Sequence, residues 1–199
     1  MKIVIIGASG TIGRKVTAEL VKRHEIIKTG SKSGDIIVDI SSAGSIESMY
    51  KRIGPFDACV CTAGHTALAP FLTMSEKDLY KGIKSKLMGQ VNLVRIGQHF
   101  INNNGSFTLT SGILGDDPVK NASPAALVNG ALNSFVVAAA MELQRGIRIN
   151  VVSPTLVEDS AEKLGSFFPG YDIVPMHRVV NGYVKSIEGM ISGKVIRII

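Results

Sequence analysis

The sequence lacks several features that define common classes of protein. It contains no tryptophan and only two cysteines among 199 residues, and these two, Cys59 and Cys61, do not form a Cys-x-x-Cys motif. No further ligands at suitable spacing accompany them, so we expect no metal site. Two residues apart on an apolar strand, both thiols would face the same side. We expect them to be buried and unpaired, as in a reducing cytoplasm, and we predict a cytoplasmic location.

Long hydrophobic runs and clusters of like charge are also missing. No apolar stretch is of the length expected to cross a bilayer, and Met1 leads directly into a predicted strand rather than a signal peptide. The net charge is +6, but the basic residues are scattered and no Lys/Arg run alternates with aromatic residues. We therefore expect neither a membrane nor a nucleic-acid partner. The positive charge is either a solvated surface or an attraction for an anionic ligand such as a dinucleotide.

Alternating strands and helices are present along the whole chain. Several strands are continuous Ile/Val runs, which is typical of a parallel sheet covered on both faces. Strands are predicted near residues 2–6, 25–28, 35–38, 57–61, 105–110, 147–152 and 194–198. Helices are predicted near residues 11–23, 44–52, 75–102, 123–144 and 177–191. The pattern predicts an α/β fold in which residues 1–199 form one Rossmann-type domain, a doubly wound parallel sheet of about seven strands flanked by helices.

Residues 155–175 form an irregular stretch that is too long for an ordinary connection. The stretch follows the carboxyl end of a predicted strand, where ligands bind in α/β proteins, and we interpret it as a substrate lid. Its aromatic residues indicate a partly apolar or aromatic ligand; they are Phe167, Phe168 and Tyr171.

Three glycines spaced by three follow the first strand and precede the first helix. This context is the one that the dinucleotide-binding fingerprint requires. Glycines permit the tight turn and allow the backbone to approach a pyrophosphate, while N–H groups at the helix start face the anion. Ser9 and Thr11 could add hydroxyl donors. The predicted phosphate-binding turn comprises Gly7, Ser9, Gly10, Thr11, Ile12 and Gly13.

The acidic residue that usually binds the ribose 2′-hydroxyl of NAD is absent after the second strand, in residues 27–33. Ser31 and Lys32 could instead hold a 2′-phosphate. One or two charged hydrogen bonds would favour NADP(H) over NAD(H) by about tenfold to several hundredfold. The alternative is that Lys32 is a solvated loop lysine, and Arg14 is a weaker second candidate.

Four motifs, in this order, resemble those of the short-chain dehydrogenase/reductase superfamily. They are Gly7-x-x-Gly10-x-x-Gly13, Val38-Asp39-Ile40, Cys61-Thr62-Ala63-Gly64, and Arg148-Ile-Asn150-Val-Val-Ser-Pro154-Thr155. Together they span nearly the whole chain. The resemblance implies that Asp39 and Ile40 contact the adenine. It implies that Thr62, Ala63 and Gly64 line the ribose, and that Pro154, Thr155 and Val157 flank the nicotinamide.

The resemblance also implies a catalytic serine and a Tyr-x-x-x-Lys motif, and the chain departs from this pattern. Ser111 stands where the family serine is found, and we expect it to orient the substrate. The family tyrosine corresponds to Ala125 and the lysine to Asn129, and no tyrosine lies between residues 81 and 170. The family asparagine corresponds to Lys86. We hypothesise that Lys86 and Asn129 have exchanged identities and face each other; the alternative is a solvated lysine and a helix-packing asparagine.

A reductase with this sequence needs another proton donor. Lys86, an ordered water, His65 and Tyr171 are candidates, although His65 could be an ordinary loop residue and Tyr171 a hydrophobic contact. The predicted function is NADP(H)-dependent reduction of a small carbonyl compound. The alternatives are a non-catalytic NADP(H)-binding sensor or scaffold, and an enzyme of the same fold without net redox chemistry.

The predicted helix from Ala125 to Leu143 is almost free of charge and rich in Ala, Val and Gly. An apolar helix of this kind is expected to be buried on every side. A partner subunit could cover one of those sides. The resemblance implies that helices 75–102 and 123–144 form a dimer interface, so we predict a homodimer or tetramer.

Overall fold

The computed structural model describes all 199 residues and contains one seven-stranded parallel sheet. The strand order is β3-β2-β1-β4-β5-β6-β7. The strands are β1 (Lys2–Ile6), β2 (Glu25–Gly30), β3 (Ile36–Ile37), β4 (Phe56–Cys61), β5 (Ile101–Thr110), β6 (Arg148–Pro154) and β7 (Lys194–Ile198). The predicted Rossmann-type α/β fold class is confirmed.

Helices cover both faces of the sheet. They are α1 (Thr11–Leu20), α2 (Ala43–Ile53), α3 (Glu76–Gly82), α4 (Gly89–Gly97), α5 (Ser123–Glu142), α6 (Glu158–Leu164) and α7 (Met176–Glu188). Successive side chains of a strand point to opposite faces. In β1, Ile3 and Ile5 accordingly join a core with α1 and α7, while Val4 and Ile6 join a second core with α2, α4 and α5. Because both faces of β1 pack against hydrophobic cores, the strand is a continuous hydrophobic run.

The predicted helix 75–102 is not continuous. A π-helical segment, Ile83–Met88, separates α3 from α4, and α4 ends at Gly97. The prediction of a helix through residue 102 was wrong, because Ile101 already pairs with Phe56 of β4. Gly97 also permits a close approach, since a Cβ there would lie 2.8 Å from the Tyr50 hydroxyl oxygen. The start of β5, Ile-Asn-Asn-Asn-Gly at residues 101–105, is mostly polar and lacks the apolar alternation typical of a strand.

Helix α5 packs one face on the sheet and exposes the other. Val128, Leu132 and Val136 are fully buried, whereas Val137 and Met141 are exposed. The prediction that this helix is buried on every side is therefore wrong for the single chain. By length and composition alone, α5 is the one helix that could cross a membrane, which also corrects the expectation that no such stretch exists.

Residues 155–175 are more ordered than the sequence predicted. They contain α6 and a 3₁₀ turn, Gly165–Phe167, and Val157 forms an isolated parallel bridge with Val174. Acidic residues in the first turn of α6 and Lys163 in its last turn complement the helix dipole. Glu158 Oε1 also accepts a hydrogen bond from the amide of Met176 at 2.8 Å. These local interactions, rather than apolar periodicity, account for the helix.

Both cysteines are buried and unpaired, as predicted. Cys59 Sγ lies 3.2 Å from the hydroxyl oxygen of Tyr50, and Cys61 Sγ lies 3.6 Å from the carbonyl oxygen of Ala63. Burial raises the pKa of each thiol to about 12, so both are protonated at neutral pH. They contribute packing and not reactive thiolates.

Candidate active site

The glycine-rich turn after β1 is held in place by contacts that leave no room for side chains. Gly7 has φ +82°, a conformation that favours glycine. A Cβ on Gly13 would overlap the carbonyl oxygen of Gly7 and lie 2.7 Å from Thr62 Oγ1. Helix α1 therefore begins directly against the end of β1. Gly10 is its N-cap and provides no side-chain cap, so the first N–H groups of the helix are left for a ligand.

Thr62 braces this turn from the end of β4. Its Oγ1 lies 3.1 Å from the carbonyl oxygens of both Ile6 and Gly7. The side-chain hydroxyl of Thr62 is therefore engaged by the backbone. The predicted contact with a ribose would therefore be made by main-chain atoms of residues 62–64.

The loop after β2 places the predicted 2′-phosphate residues close to the turn. Ser33 Oγ donates to Ser9 Oγ at 3.2 Å, and Ser31 and Lys32 are exposed. An acidic residue, Asp35, follows them in the chain. The Oδ2 atom of Asp35 accepts a hydrogen bond from the amide of Lys28 at 2.8 Å, so this carboxylate stabilises the loop between β2 and β3. Arg14, the weaker candidate, forms an ion pair with Asp159 of α6.

Asp39 and Ile40 follow β3 at the same edge of the sheet. Asp39 Oδ1 accepts hydrogen bonds from the hydroxyl of Ser41 at 2.7 Å and from its amide at 2.9 Å. These bonds hold the pKa of Asp39 below its usual value. Ile40 is buried and packs beside Gly89, where a Cβ would lie 3.0 Å from Ile40 Cδ1. The pair is fixed by local contacts before any nucleotide binds.

Lys86 and Asn129 are in direct contact, as the exchange hypothesis predicted. Lys86 Nζ donates to Asn129 Oδ1 at 2.8 Å and to the carbonyl oxygen of Ser111 at 2.8 Å. Lys86 belongs to the π-helical segment, a conformation that is frequent at functional sites. Gly64, with φ +125°, makes room for it, because a Cβ there would lie 2.8 Å from Lys86 Cβ.

The environment of the Lys86 amine is polar but uncharged. Both of its hydrogen-bond acceptors are neutral, and no carboxylate forms an ion pair with it. Burial lowers the pKa of Lys86 to about 8. The ammonium form has three N–H donors, of which the two acceptors use two. One N–H is therefore available to a ligand.

Ser111 and Asn129 also retain unused hydrogen-bonding capacity. Ser111 Oγ is buried and has no partner in the protein. The 3₁₀ turn Ile113–Gly115 packs tightly on α5, since a Cβ at Gly115 would lie 2.8 Å from the amide nitrogen of Gly130. This close approach brings the end of β5 beside Asn129 and completes the group.

A cavity of about 450 Å³, which we call the main cavity, contains this group. It brings together Gly64, Lys86, Ser111, Asn129, Pro154 and Thr155 from the predicted site. Val157 lies outside it and is buried in the bridge to Val174. The sequence did not single out Lys163 of α6, which also lines the main cavity, because the helix that carries it was not predicted.

The other proton-donor candidates occupy different positions. His65 is exposed at the edge of the main cavity. The Tyr171 hydroxyl donates to the carbonyl oxygen of Asp117 at 2.9 Å, and Tyr171 lines a smaller neighbouring cavity of about 260 Å³. Of the aromatic residues in the predicted lid, Phe168 lines the main cavity and packs edge to face on Tyr171. Phe167 lines neither cavity.

Comparisons with known proteins agree with this architecture. A family model described as enoyl-(acyl carrier protein) reductase matches residues 2–180. A curated relative, the short-chain dehydrogenase/reductase ATR9 of Stachybotrys chlorohalonatus, is 28% identical over 157 residues. That match covers 74% of this chain and 61% of the length of that relative.

Among solved structures, the protein lin1944 of Listeria innocua has a TM-score of 0.98 and 43% identity, with 100% of each chain covered. A small-chain dehydrogenase in complex with NADPH has a TM-score of 0.88 and 23% identity, covering 100% of this chain and 96% of that one. At that identity the second likeness shows the fold alone. The fold and the match over residues 2–180 together show that the chain belongs to the short-chain dehydrogenase/reductase superfamily.

Proposed function

We propose that this protein is an NADP(H)-dependent oxidoreductase that reduces a small carbonyl compound, with Lys86 in the role of the absent tyrosine. The observation that carries the proposal is the Lys86 amine, held at 2.8 Å by Asn129 Oδ1 and at 2.8 Å by the Ser111 carbonyl oxygen, on the wall of the main cavity. Family membership supports the oxidoreductase class. A structural neighbour that binds NADPH agrees with the choice of cofactor.

The backbone geometry of the glycine turn supports the binding of a dinucleotide. The Gly7–Gly13 turn excludes side chains and presents helix N–H groups to a pyrophosphate. In the proposal, Ser31 and Lys32 hold the 2′-phosphate, and Asp39 with Ile40 lies against the adenine. When bound, NADPH supplies the hydride. Residues 62–64 and Pro154, Thr155 and Val157 then flank the ribose and nicotinamide.

Proton transfer falls to Lys86 in this proposal. As an ammonium it donates its third N–H to the substrate carbonyl oxygen and transfers the proton as that oxygen gains negative charge. A pKa of about 8 suits such an acid at neutral pH. Ser111 Oγ supplies a second hydrogen bond that orients the carbonyl group. Asn129 positions the Lys86 amine between the two.

The proposal is tested first by titrating the protein with NADPH and NADH, followed by single-turnover mixing with small aldehydes and ketones. We expect NADPH to bind at least about tenfold more tightly than NADH. We also expect loss of bound NADPH absorbance when a substrate is added. Absence of binding by either nucleotide contradicts the cofactor assignment. Conversion of a substrate without any absorbance change indicates non-redox chemistry.

A second function, binding NADP(H) without catalysis, is favoured by one observation. Ala125, which the resemblance assigns to the family tyrosine position, lines the main cavity and offers no proton-donating side chain. A sensor or scaffold of this kind would bind NADPH tightly, and it would not oxidise NADPH when any carbonyl compound is added. Replacement of Lys86 would then change neither the affinity nor any measured rate.

We also propose that the chain is a cytoplasmic homodimer or tetramer. The exposed face of α5, including Leu127, Val137 and Met141, is the apolar surface that a second copy would cover. Light scattering at micromolar concentration tests this assembly, and a monomer contradicts it. The buried, unpaired thiols agree with a reducing compartment.

A further inference from the structure

The main cavity carries positive charge without any carboxylate to balance it. Among the residues that line it, three are basic, His65, Lys86 and Lys163, and none is Asp or Glu. Lys163 stands on α6 and forms no ion pair. The carboxylates of Asp117 and Asp172 line the smaller cavity instead. The side chains that line the main cavity therefore present positive charge and no negative charge to a ligand.

The positive charge is most costly at Lys86, because that amine is held by neutral groups only. Taking a cation out of water is unfavourable unless an opposite charge or a full set of hydrogen bonds replaces the water. Asn129 Oδ1 and the Ser111 carbonyl oxygen satisfy two of its three N–H groups. A ligand that brings an anion into the cavity would offset the remaining cost.

The unused polar groups of Ser111 and Asn129 in the cavity can both donate hydrogen bonds. Ser111 is 4% exposed, and its Oγ has no partner in the protein. Asn129 Nδ2 donates to no protein acceptor, because its only side-chain bond is the one that Oδ1 accepts from Lys86. Such walls match a ligand whose oxygens only accept hydrogen bonds, as those of carbonyl and carboxylate groups do. The apolar part of the wall, which includes Leu68, Ile113 and Phe168, suits the body of the same ligand.

We propose that the substrate is an oxo acid, a carbonyl compound that also carries a carboxylate, and that Lys163 is the residue that selects it. Lys86 and Ser111 engage the carbonyl oxygen, and Lys163 attracts the carboxylate from the side of α6. This inference rests on the proposed reductase function. It adds a specificity residue outside the nucleotide site and a chemical class of substrate.

The test compares two probes that share a ring and a ketone but differ in charge, phenylglyoxylate and its methyl ester. Their affinities for the full-length protein are measured by calorimetry in the presence of saturating NADP⁺, so that no turnover is needed. We expect the acid to bind at least about tenfold more tightly than the ester. In Lys163→Gln the two affinities should come within about threefold of each other, because the selecting charge is lost.

Lys185→Gln is the matched control, since it removes the same charge from an exposed site on α7. It should keep the preference for the acid. The proposal is overturned if the ester binds as tightly as the acid, if the acid does not bind at millimolar concentration, or if both variants lose the preference equally. Reduction of neutral aldehydes alongside any of these results would leave the reductase function intact. A preserved preference for the acid without NADPH oxidation would instead contradict the reductase function alone.

Discussion

The nucleotide-binding edge and the main cavity are built by opposite means. At the edge, backbone groups and missing side chains define the site, because Gly7 and Gly13 leave the space that a pyrophosphate needs. In the main cavity, side chains define it, through the contact of Lys86 with Asn129. A backbone site tolerates few changes, whereas a side-chain site can exchange residues and keep its contact. The sequence resemblance implies that the chain keeps the family pattern at the edge and departs from it in the cavity.

Removing the cavity amine gives the largest expected effect. Lys86→Met should lower turnover by about 10²- to 10⁴-fold, because the proposed general acid is lost. The affinity for NADPH should stay within about threefold, since the groups proposed to hold its phosphates are unchanged. Steady-state kinetics and nucleotide titration measure the two quantities. Lys84→Met, an exposed neighbour on the same segment, is the control, and equal activity in both variants would refute the role of Lys86.

Adding a side chain to the glycine turn should weaken NADPH binding, the property that the Lys86 variant is expected to keep. In Gly13→Ala the new Cβ overlaps the Gly7 carbonyl oxygen, so the turn must open. Overpacking of this kind costs about 1–3 kcal/mol, and we expect NADPH affinity to fall by at least about tenfold. Fluorescence titration and thermal unfolding measure the change. Gly44→Ala is the control, because only Ser42 Oγ, 4.0 Å away, is near its new Cβ; equal affinities would show that the turn does not bind nucleotide.

The pH dependence of reduction distinguishes the amine from other acids. The proposed acid is the Lys86 cation, so the rate should be constant below pH about 8 and fall as pH rises through its pKa. In Asn129→Asp a carboxylate replaces the neutral acceptor and favours the charged amine. The break should then move to higher pH by at least about one unit.

Reduction rates of the unmodified protein and of Asn129→Asp, measured between about pH 6 and 10, test this shift of the break. Asn133→Asp is a comparison variant on the same helix, and it should not move the break. Asn133 takes no part in the contact between Lys86 and Asn129, because its side-chain atoms have no hydrogen-bond partner in the protein. A break that stays in place in Asn129→Asp would exclude Lys86 as the titrating group.

The smallest expected effect is on cofactor preference. Lys32→Gln should weaken NADPH binding by about tenfold and leave NADH binding unchanged, because only the 2′-phosphate is lost as a partner. Parallel titrations with the two nucleotides measure the ratio. Lys51→Gln, which removes a lysine that pairs with Glu47, is the control. Equal loss for both nucleotides would show that Lys32 acts through general charge and not through the 2′-phosphate.

The sequence predicted the sheet well because its evidence is local. Continuous Ile/Val runs mark strands buried on both faces, and the glycine spacing places the first turn at residue 7. The same local patterns could not show where a helix becomes a π segment. Hydrophobic spacing is similar in both forms, so Ile83–Met88 was predicted as ordinary helix.

The candidate site was predictable only in part. The contact of Lys86 with Asn129 was hypothesised from the family resemblance, because two departures from one pattern pointed to each other. Lys163 was not predicted as a site residue, since α6 depends on end charges and on the hydrogen bond that the Met176 amide donates to Glu158. The unsatisfied hydroxyl of Ser111 is equally invisible in a sequence, because it depends on what the fold leaves unpaired.

The close packing of Gly64 against Lys86 has a consequence for the order of events in a reaction cycle. Gly64 belongs to the loop that would line the ribose, and its backbone touches the side chain that would meet the substrate. A conformational change of that loop on nucleotide binding would therefore move the Lys86 side chain and its amine. We expect ordered addition, with nucleotide before substrate, in which the first ligand sets the affinity for the second.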